Sequence, residues 1–476
     1  MIRHLLAGVA LCGLLTACAS APVYQRSADA AANRTAATGQ FLNSGNSALT
    51  DNAVPGDWWK LYDDARLNGL VADALAANTD LRAASARLER ARIGLDLARD
   101  ASGLHTEVSG GLEYGKPSAE EYLLIGEHLP SDFLYATSAG ASYQLDLAGQ
   151  VKSAVDAAKA DAVASQAAYD AVRISVVADT TRAYVDACAT GRQADIVRQA
   201  LSLQADNTAM IKRLVAAGRS GTTDVTRTLG SEAQTRSALP GILAAHQAAL
   251  YRLAALTGRA PPKLPADIAT CNTLPVLKDP IPVGDGAALL KRRPDVRARE
   301  AELSAATSRT GIARAVLYPH VTLGASLTST GLVSRAFNQD TMGFMFGPLI
   351  SWEFPNRDHA KADIKLADAS VDEAQARFDG AVLTALRETE TALNAYARDL
   401  DQRSDLQHAH DQAAKALGDS QRLQTAGKIG AMPVLEARRA VVVSDQALAQ
   451  ADARLAADQV QVFLALGGGW QPQGGL

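Results

Sequence analysis

The sequence predicts a mainly α-helical chain with a small β part, built as a duplicated half-molecule. Three observations carry that reading. Two tracts of roughly seventy residues are rich in alanine and almost free of helix breakers. Four short segments alternate apolar and polar residues with the period of a strand. A tract around Arg213-Leu214-Val215-Ala216-Ala217-Gly218 returns as Arg422-Leu423-Gln424-Thr425-Ala426-Gly427, 209 residues later.

The duplication extends beyond that phrase. Gly221 matches Gly430 and Val225 matches Val434. Leu253-Ala254-Ala255-Leu256-Thr257-Gly258 matches Phe463-Leu464-Ala465-Leu466-Gly467-Gly468. A period this long is a repeated half-molecule, not a solenoid unit. Each half reads helix, strand, strand, long helix, tip, helix. The layout is a signal peptide at 1–17, an extended segment at 18–57, a first repeat at 58–258, a linker at 259–288, a second repeat at 289–466 and a tail at 467–476.

The long helices follow from composition. Gln150 to Ala217 contains no proline and one glycine, Gly191. Asp358 to Ala426 is similar, with Leu386, Leu393 and Leu400 at heptad spacing. At 1.5 Å per residue each would be roughly 100 Å long, a length for spanning a gap and not for filling a globule. Both tracts end at Ala-Gly, where a left-handed residue closes a helix. The tips near 218–222 and 427–431 are therefore tight helical hairpins. Thr222 or Thr223 is expected to cap the first returning helix. Pro433 falls in the first turn of the second, and Pro240 should kink the first.

The strands place apolar residues on one face. Ala139, Ala141, Tyr143, Leu145 and Leu147 oppose Ser138, Gly140, Ser142, Gln144 and Asp146. Val321, Leu323, Ala325 and Leu327 oppose Thr322, Gly324, Ser326 and Thr328. Phe344, Phe346, Ile350, Trp352 and Phe354 share a face, and Val108, Leu112 and Tyr114 oppose Glu107, Ser109 and Glu113. This suits a barrel that is apolar outside and wet inside. Four strands cannot close one, because membrane barrels begin at about eight. Two copies would give eight strands with a filled lumen. Three would give twelve, the better number for a conducting pore.

The N-terminus adds a location. Arg3, the 11-residue apolar run Leu5–Leu15 and Leu15-Thr16-Ala17-Cys18 resemble a lipoprotein signal, with Cys18 the acylated residue. Ala19 after it lacks the aspartate of inner-membrane retention. No later segment has 18 consecutive apolar residues, which excludes a transmembrane helix. Charge is −4 and aromatic content 5%, with nothing to attract nucleic acid. Cys188 and Cys271 read as buried small residues, with their pairing open. His408 and His410 are two apart on a helix and face different directions, so no metal site is expected. No phosphate loop, dinucleotide fingerprint or nucleophile elbow occurs. No enzyme activity and no cofactor are expected.

Several phrases together resemble the outer-membrane efflux protein family, the TolC-like outer-membrane factors, and within it the lipoprotein, NodT-like branch of resistance-nodulation-division systems. They are Trp58-Trp59-Lys60-Leu61-Tyr62-Asp63-Asp64, Leu290-Lys291-Arg292-Arg293-Pro294-Asp295-Val296-Arg297, Tyr318-Pro319 and Leu466-Gly467-Gly468-Gly469-Trp470. The resemblance implies a homotrimer with a twelve-stranded barrel, a periplasmic α-helical tunnel and an equatorial region holding the linker and both termini. It implies a periplasmic adaptor and an inner-membrane pump as partners, with outer-membrane lipid around the barrel. By the same resemblance the tips meet the adaptor through Gly218, Arg219, Gly221, Gly427, Lys428 and Gly430, and Glu436 gates the periplasmic mouth. Read from the residues alone, Arg219 and Lys428 are solvated surface charges. The alternative function is a lipid-anchored periplasmic coiled-coil scaffold or adaptor without a channel.

Overall fold

A computed structural model describes residues 22–116, 118, 128, 130–260, 265–352 and 357–470. The signal peptide, Cys18, Phe354 and the tail beyond 470 lie outside the described residues.

The first half runs through α2 (Ala65–Ala77), α3 (Thr79–Asp100), β2 (His105–Gly115), β3 (Asp132–Leu145), α4 (Gln150–Ala216) and α5 (Thr222–Leu256). The second runs through α7 (Gly286–Arg292), α8 (Pro294–Ala315), β5 (His320–Leu332), β6 (Met342–Ser351), α9 (Arg357–Thr425) and α10 (Ala431–Ala465). The halves match in length. The long helices have 67 and 69 residues, and the returning helices have 35 each. Helix α5 continues through Pro240. Short elements complete the chain: α1 (Thr35–Thr38), β1 (Leu49–Thr50), α6 (Ala266–Ala269) and β4 (Ile281–Pro282).

Contacts gather the chain into two compact units, each drawing on both halves. The first contains the described residues of 22–27, 88–165 and 299–378. Its centre is one antiparallel sheet in the order β2-β3-β5-β6, so the hairpins of the two halves join through β3 and β5. The second contains the described residues of 28–87, 166–298 and 379–470. Here β1 pairs in parallel with β4.

The core of the second unit explains two sequence phrases. Trp58 is fully buried, stacked on Phe463 with ring centroids 4.5 Å apart. Tyr62, Leu67, Val71, Tyr184, Leu253 and Leu393 pack into the same cluster. Arg292 donates to the carbonyl oxygens of Val54 and Pro55, and through Nε to Gly467 at 2.9 Å. Arg293 donates to Ala465 O at 3.0 Å and pairs with Asp295 and Glu388. The guanidinium groups thus satisfy carbonyls at the end of α10, where a helix leaves acceptors unpaired and favours positive charge. Arg293 thus combines a local partner, Asp295, with groups far away in the chain, and Arg292 reaches only distant ones.

Cys188 and Cys271 form a disulfide, which settles the pairing that the sequence left open. Gly191, the one glycine of α4, lies three residues on. A Cβ there would stand 2.1 Å from the Cys271 carbonyl oxygen. The backbones approach so closely that only glycine fits.

Candidate functional site

The sheet carries the membrane-facing chemistry. Residues directly opposite in an antiparallel pair share a face. The register sets Val108, Ala139, Leu327 and Phe344 in one row across all four strands. Ala141, Ala325 and Phe346 form the next, and Leu145, Val321 and Ile350 another. The opposite face has rows such as Ser109, Ser138, Thr328 and Gly343. In the single chain the apolar face is bare: Phe344 is 86% exposed, Val108 84% and Phe346 82%. A water-soluble sandwich would cover such a band; a bare one suits contact with lipid.

The length and ends of the sheet agree. Strands of 10 to 14 residues, tilted as barrels require, cross about 25–30 Å. Aromatic rings flank the band. Tyr114 and Phe133 sit 5.1 Å apart at the end away from the helices. Tyr143, Tyr318 and Trp352 are exposed at the other, and Trp352 donates to the Leu317 carbonyl at 3.3 Å. Rings with one wet edge collect at bilayer interfaces. Among the described residues no helix is long and apolar enough to cross a membrane.

The sheet is open. Among the described residues, strands β2 and β6 each have one neighbour, so each presents a row of unpaired backbone groups. Such an edge cannot face hydrocarbon.

The two tips have one construction. Gly218 and Gly427 both have φ of 68°, the left-handed region. Arg219 N–H bonds Leu214 O at 2.8 Å, and Gly218 N–H bonds Val215 O at 2.9 Å. Lys428 N–H bonds Leu423 O and Gly427 N–H bonds Gln424 O, both at 2.9 Å. This paired closure satisfies the last carbonyls of each long helix. Gly221 and Gly430 are the N-cap residues of α5 and α10. The cap of α5 differs from expectation. The helix begins at Thr222, and it is Asp224 that reaches back to the Gly221 N–H, at 3.3 Å, and to the Ser220 hydroxyl, at 2.7 Å. Those two donors hold the Asp224 carboxyl below the usual range. Arg219 and Lys428 are exposed and, among the described residues, make no ion pair.

Glu436 is exposed on α10, two turns beyond Gly430. With Leu203 and Gln204 of α4, Arg227 of α5, and Met432 and Arg439 of α10, it lines a cleft of about 640 Å³. Arg439 donates to Gln204 at 2.7 Å. Pro433 occupies the first turn of α10. The tip glycines and Glu436 thus belong to the same end of the hairpins.

Sequence patterns did not reveal a second polar cleft, lined by Arg182 and Asp186 of α4, Arg252 of α5, Asp399 of α9, and Arg454 and Asp458 of α10. Burial, reinforced by the Asp399 carboxyl beside it, pushes Asp458 up to about 6.

The model of the outer membrane efflux protein family matches residues 70–259 and 287–468, most of the chain. The chain belongs to the outer membrane efflux protein family. Among its relatives, outer membrane protein OprJ of Pseudomonas aeruginosa is 30% identical over 96% of this chain and 94% of its own. Nodulation protein T of Rhizobium leguminosarum bv. viciae is 27% identical over 98% of this chain and 93% of its own. The solved outer-membrane channel OprN superposes with a TM-score of 0.86 at 27% identity, covering 96% of this chain and all of that one. The chain has the mainly helical fold of these channels, with a β part that enters the membrane. It is an outer-membrane channel component of an efflux system, located in the outer membrane and extending into the periplasm. The channel reading holds over the scaffold alternative. The family is one of channel proteins, not enzymes.

Proposed function

We propose that three copies close their four-stranded sheets into a twelve-stranded barrel. The trimer is the exit duct of a tripartite system with a periplasmic adaptor and an inner-membrane pump of the resistance-nodulation-division type. The open sheet carries this reading: among the described residues, β2 and β6 each lack a second partner beside a bare apolar band. Pairing β2 of one copy with β6 of the next satisfies both edges and leaves no end. The pump supplies the energy, and the duct conducts passively.

The chemistry at each end completes the proposal. Cys18, released as the new N-terminus, carries the acyl chains that anchor the chain to the inner leaflet of the outer membrane. Gly218, Arg219, Gly221, Gly427, Lys428 and Gly430 form the adaptor-contact tips. Their support is exposure at the far ends of the two long hairpins. Glu436 from three copies forms an acidic ring at the periplasmic mouth, repelling anions and favouring cations.

Purified protein in planar bilayers tests both levels. Heat-resistant trimers with discrete single-channel currents are expected. Glu436→Ala should raise conductance or weaken cation preference. A monomer without currents would remove the duct. A trimer with unchanged conductance and selectivity would remove only Glu436 from the gate.

A further inference from the structure

We propose that oxidation of Cys188 and Cys271 is the maturation step that locks the linker between the halves onto the first helical hairpin, so that assembly of the channel depends on a disulfide-donating partner in the periplasm.

The linker is held along one stripe of α4. Cys188 is bonded to Cys271. Gly191, one turn on, lies against the Cys271 carbonyl with no room for a Cβ. Asp195, one turn further, accepts from the Asn272 side-chain amide at 2.8 Å. Residues 188, 191 and 195 share a helix face. A fourth tie comes from α5. The His246 ring stands between two carbonyl oxygens, Nδ1 2.9 Å from Ala187 and Nε2 3.0 Å from Ala269. Beyond these ties the linker continues to the second hairpin. Its Leu274 and Leu277 wall one cleft together with Tyr396 and Leu400 of α9. The linker is thus a belt between the two hairpins, covalently fixed at the α4 end.

The second half has no equivalent. At the matching positions of α9 stand Ala397, Leu400 and Ser404 in place of Cys188, Gly191 and Asp195. The lock is particular to the first hairpin. Its cysteines are 83 residues apart, and the loop they close contains the end of α4, the first tip and all of α5. Closing a long loop restricts the unfolded chain strongly.

Both cysteines are buried, at 0% and 3% exposure. A partner cannot reach these sulfurs in the packed protein, so the bond forms while the hairpin is still open. The chemistry is thiol–disulfide exchange. The Cys271 thiolate attacks the disulfide of a periplasmic thiol oxidoreductase, and one partner sulfur leaves. The Cys188 thiolate then attacks Cys271 Sγ in the mixed disulfide. The Cys188–Cys271 bond forms and the partner departs as a dithiol. The chain gives up two protons and two electrons, and the partner's disulfide accepts the electrons.

The test uses full-length protein from outer membranes. Alkylation in denaturant, mapped by peptide mass, should label Cys188 and Cys271 only after a reductant is added. In cells lacking the periplasmic dithiol oxidase, heat-resistant wild-type oligomer should fall several-fold, and cystine in the medium should restore it. The Cys188→Ala, Cys271→Ala double variant should give a low yield in both backgrounds, without rescue by cystine, and any oligomer formed should melt roughly 10 °C lower. Wild-type oligomer whose two thiols label without reductant would overturn the proposal. So would a double variant that matches wild type in yield and melting. If the variant gives no oligomer, the thiol state and oxidant dependence of the wild type still decide.

Discussion

The Trp58 indole lies flat on the Phe463 ring, with planes 16° apart, joining the start of the first repeat to the end of the second. Both side chains are fully buried. Gly468 closes the contact, since a Cβ there would meet Trp58 Cδ1 at 2.8 Å. Phe463→Ala removes one ring and leaves a cavity against the other. A cost of about 3–5 kcal/mol is expected, read as a lower midpoint in denaturant with the detergent-solubilised oligomer. Gly468→Ala should destabilise through overpacking while leaving the Phe463 ring in place. An unchanged midpoint for Phe463→Ala would show that this junction is not part of the cooperative core.

Arg293 closes the same junction from the other side. Its side chain is nearly buried, and it holds the Ala465 carbonyl together with Asp295 and Glu388. Arg293→Met keeps much of the stem and removes every donor. The carboxylates retain partial access to water, so the expected cost is about 2 kcal/mol, below that of breaking a fully buried pair. Arg293→Lys should recover only part of the loss, because one ammonium cannot reproduce the planar fork. Hydrogen exchange at the C-terminal turn of α10 distinguishes the two: faster exchange is expected for Met than for Lys.

Gly218 and Gly427 allow a local test. Each adopts φ of 68° in open space, so an added Cβ meets no atom and only backbone strain is introduced. Gly427→Ala should therefore cost about 1 kcal/mol. The loss should appear as faster exchange at the Lys428 amide with barrel assembly intact. If the tips dock the adaptor, chemical cross-linking to it should weaken in the same variant. Equal protection at Lys428 in both proteins would show that glycine is not needed for this closure.

Much of this architecture was legible because each element obeys one dominant constraint. Lipid on one side and water on the other impose period two on β3, β5 and β6. A single glycine in a tract without proline announces α4. The glycines at 218 and 427 announce the tips, because their left-handed φ excludes most side chains. What escaped is what only the folded chain brings together. Cys188 and Cys271 are separated by a whole hairpin, and spacing alone cannot pair them. Arg292 meets Val54 and Gly467, 238 and 175 residues away, only once the chain is folded. The cap at Asp224 escaped because Thr222 is already the first helical residue of α5, which leaves Gly221, without a side-chain acceptor, as the N-cap. The Asp399 and Asp458 cleft needs α4, α5, α9 and α10 in register, and no local pattern encodes it.

That cleft makes stability depend on pH. The groups around Asp458 are Arg182 and Asp186 from α4, Arg252 from α5, Asp399 from α9, and Arg454 on its own helix. Burial raises Asp458 first, and the Asp399 carboxyl adds to it, against the lowering influence of Arg182 and Arg454. A carboxyl raised to about 6 in the folded protein holds its proton where the unfolded chain has released it. Stability from this group is therefore greatest at low pH and falls as pH rises toward and through 6. Above that, the folded state carries the Asp458 charge, half-buried beside the Asp399 carboxyl. Asp458→Asn removes the charge while keeping the shape and a donor for Asp399. Its advantage in midpoint over wild type should be smallest below about pH 4 and largest near about pH 7.5. A difference between the two proteins that stays constant across this range would mean that Asp458 does not titrate in the folded channel.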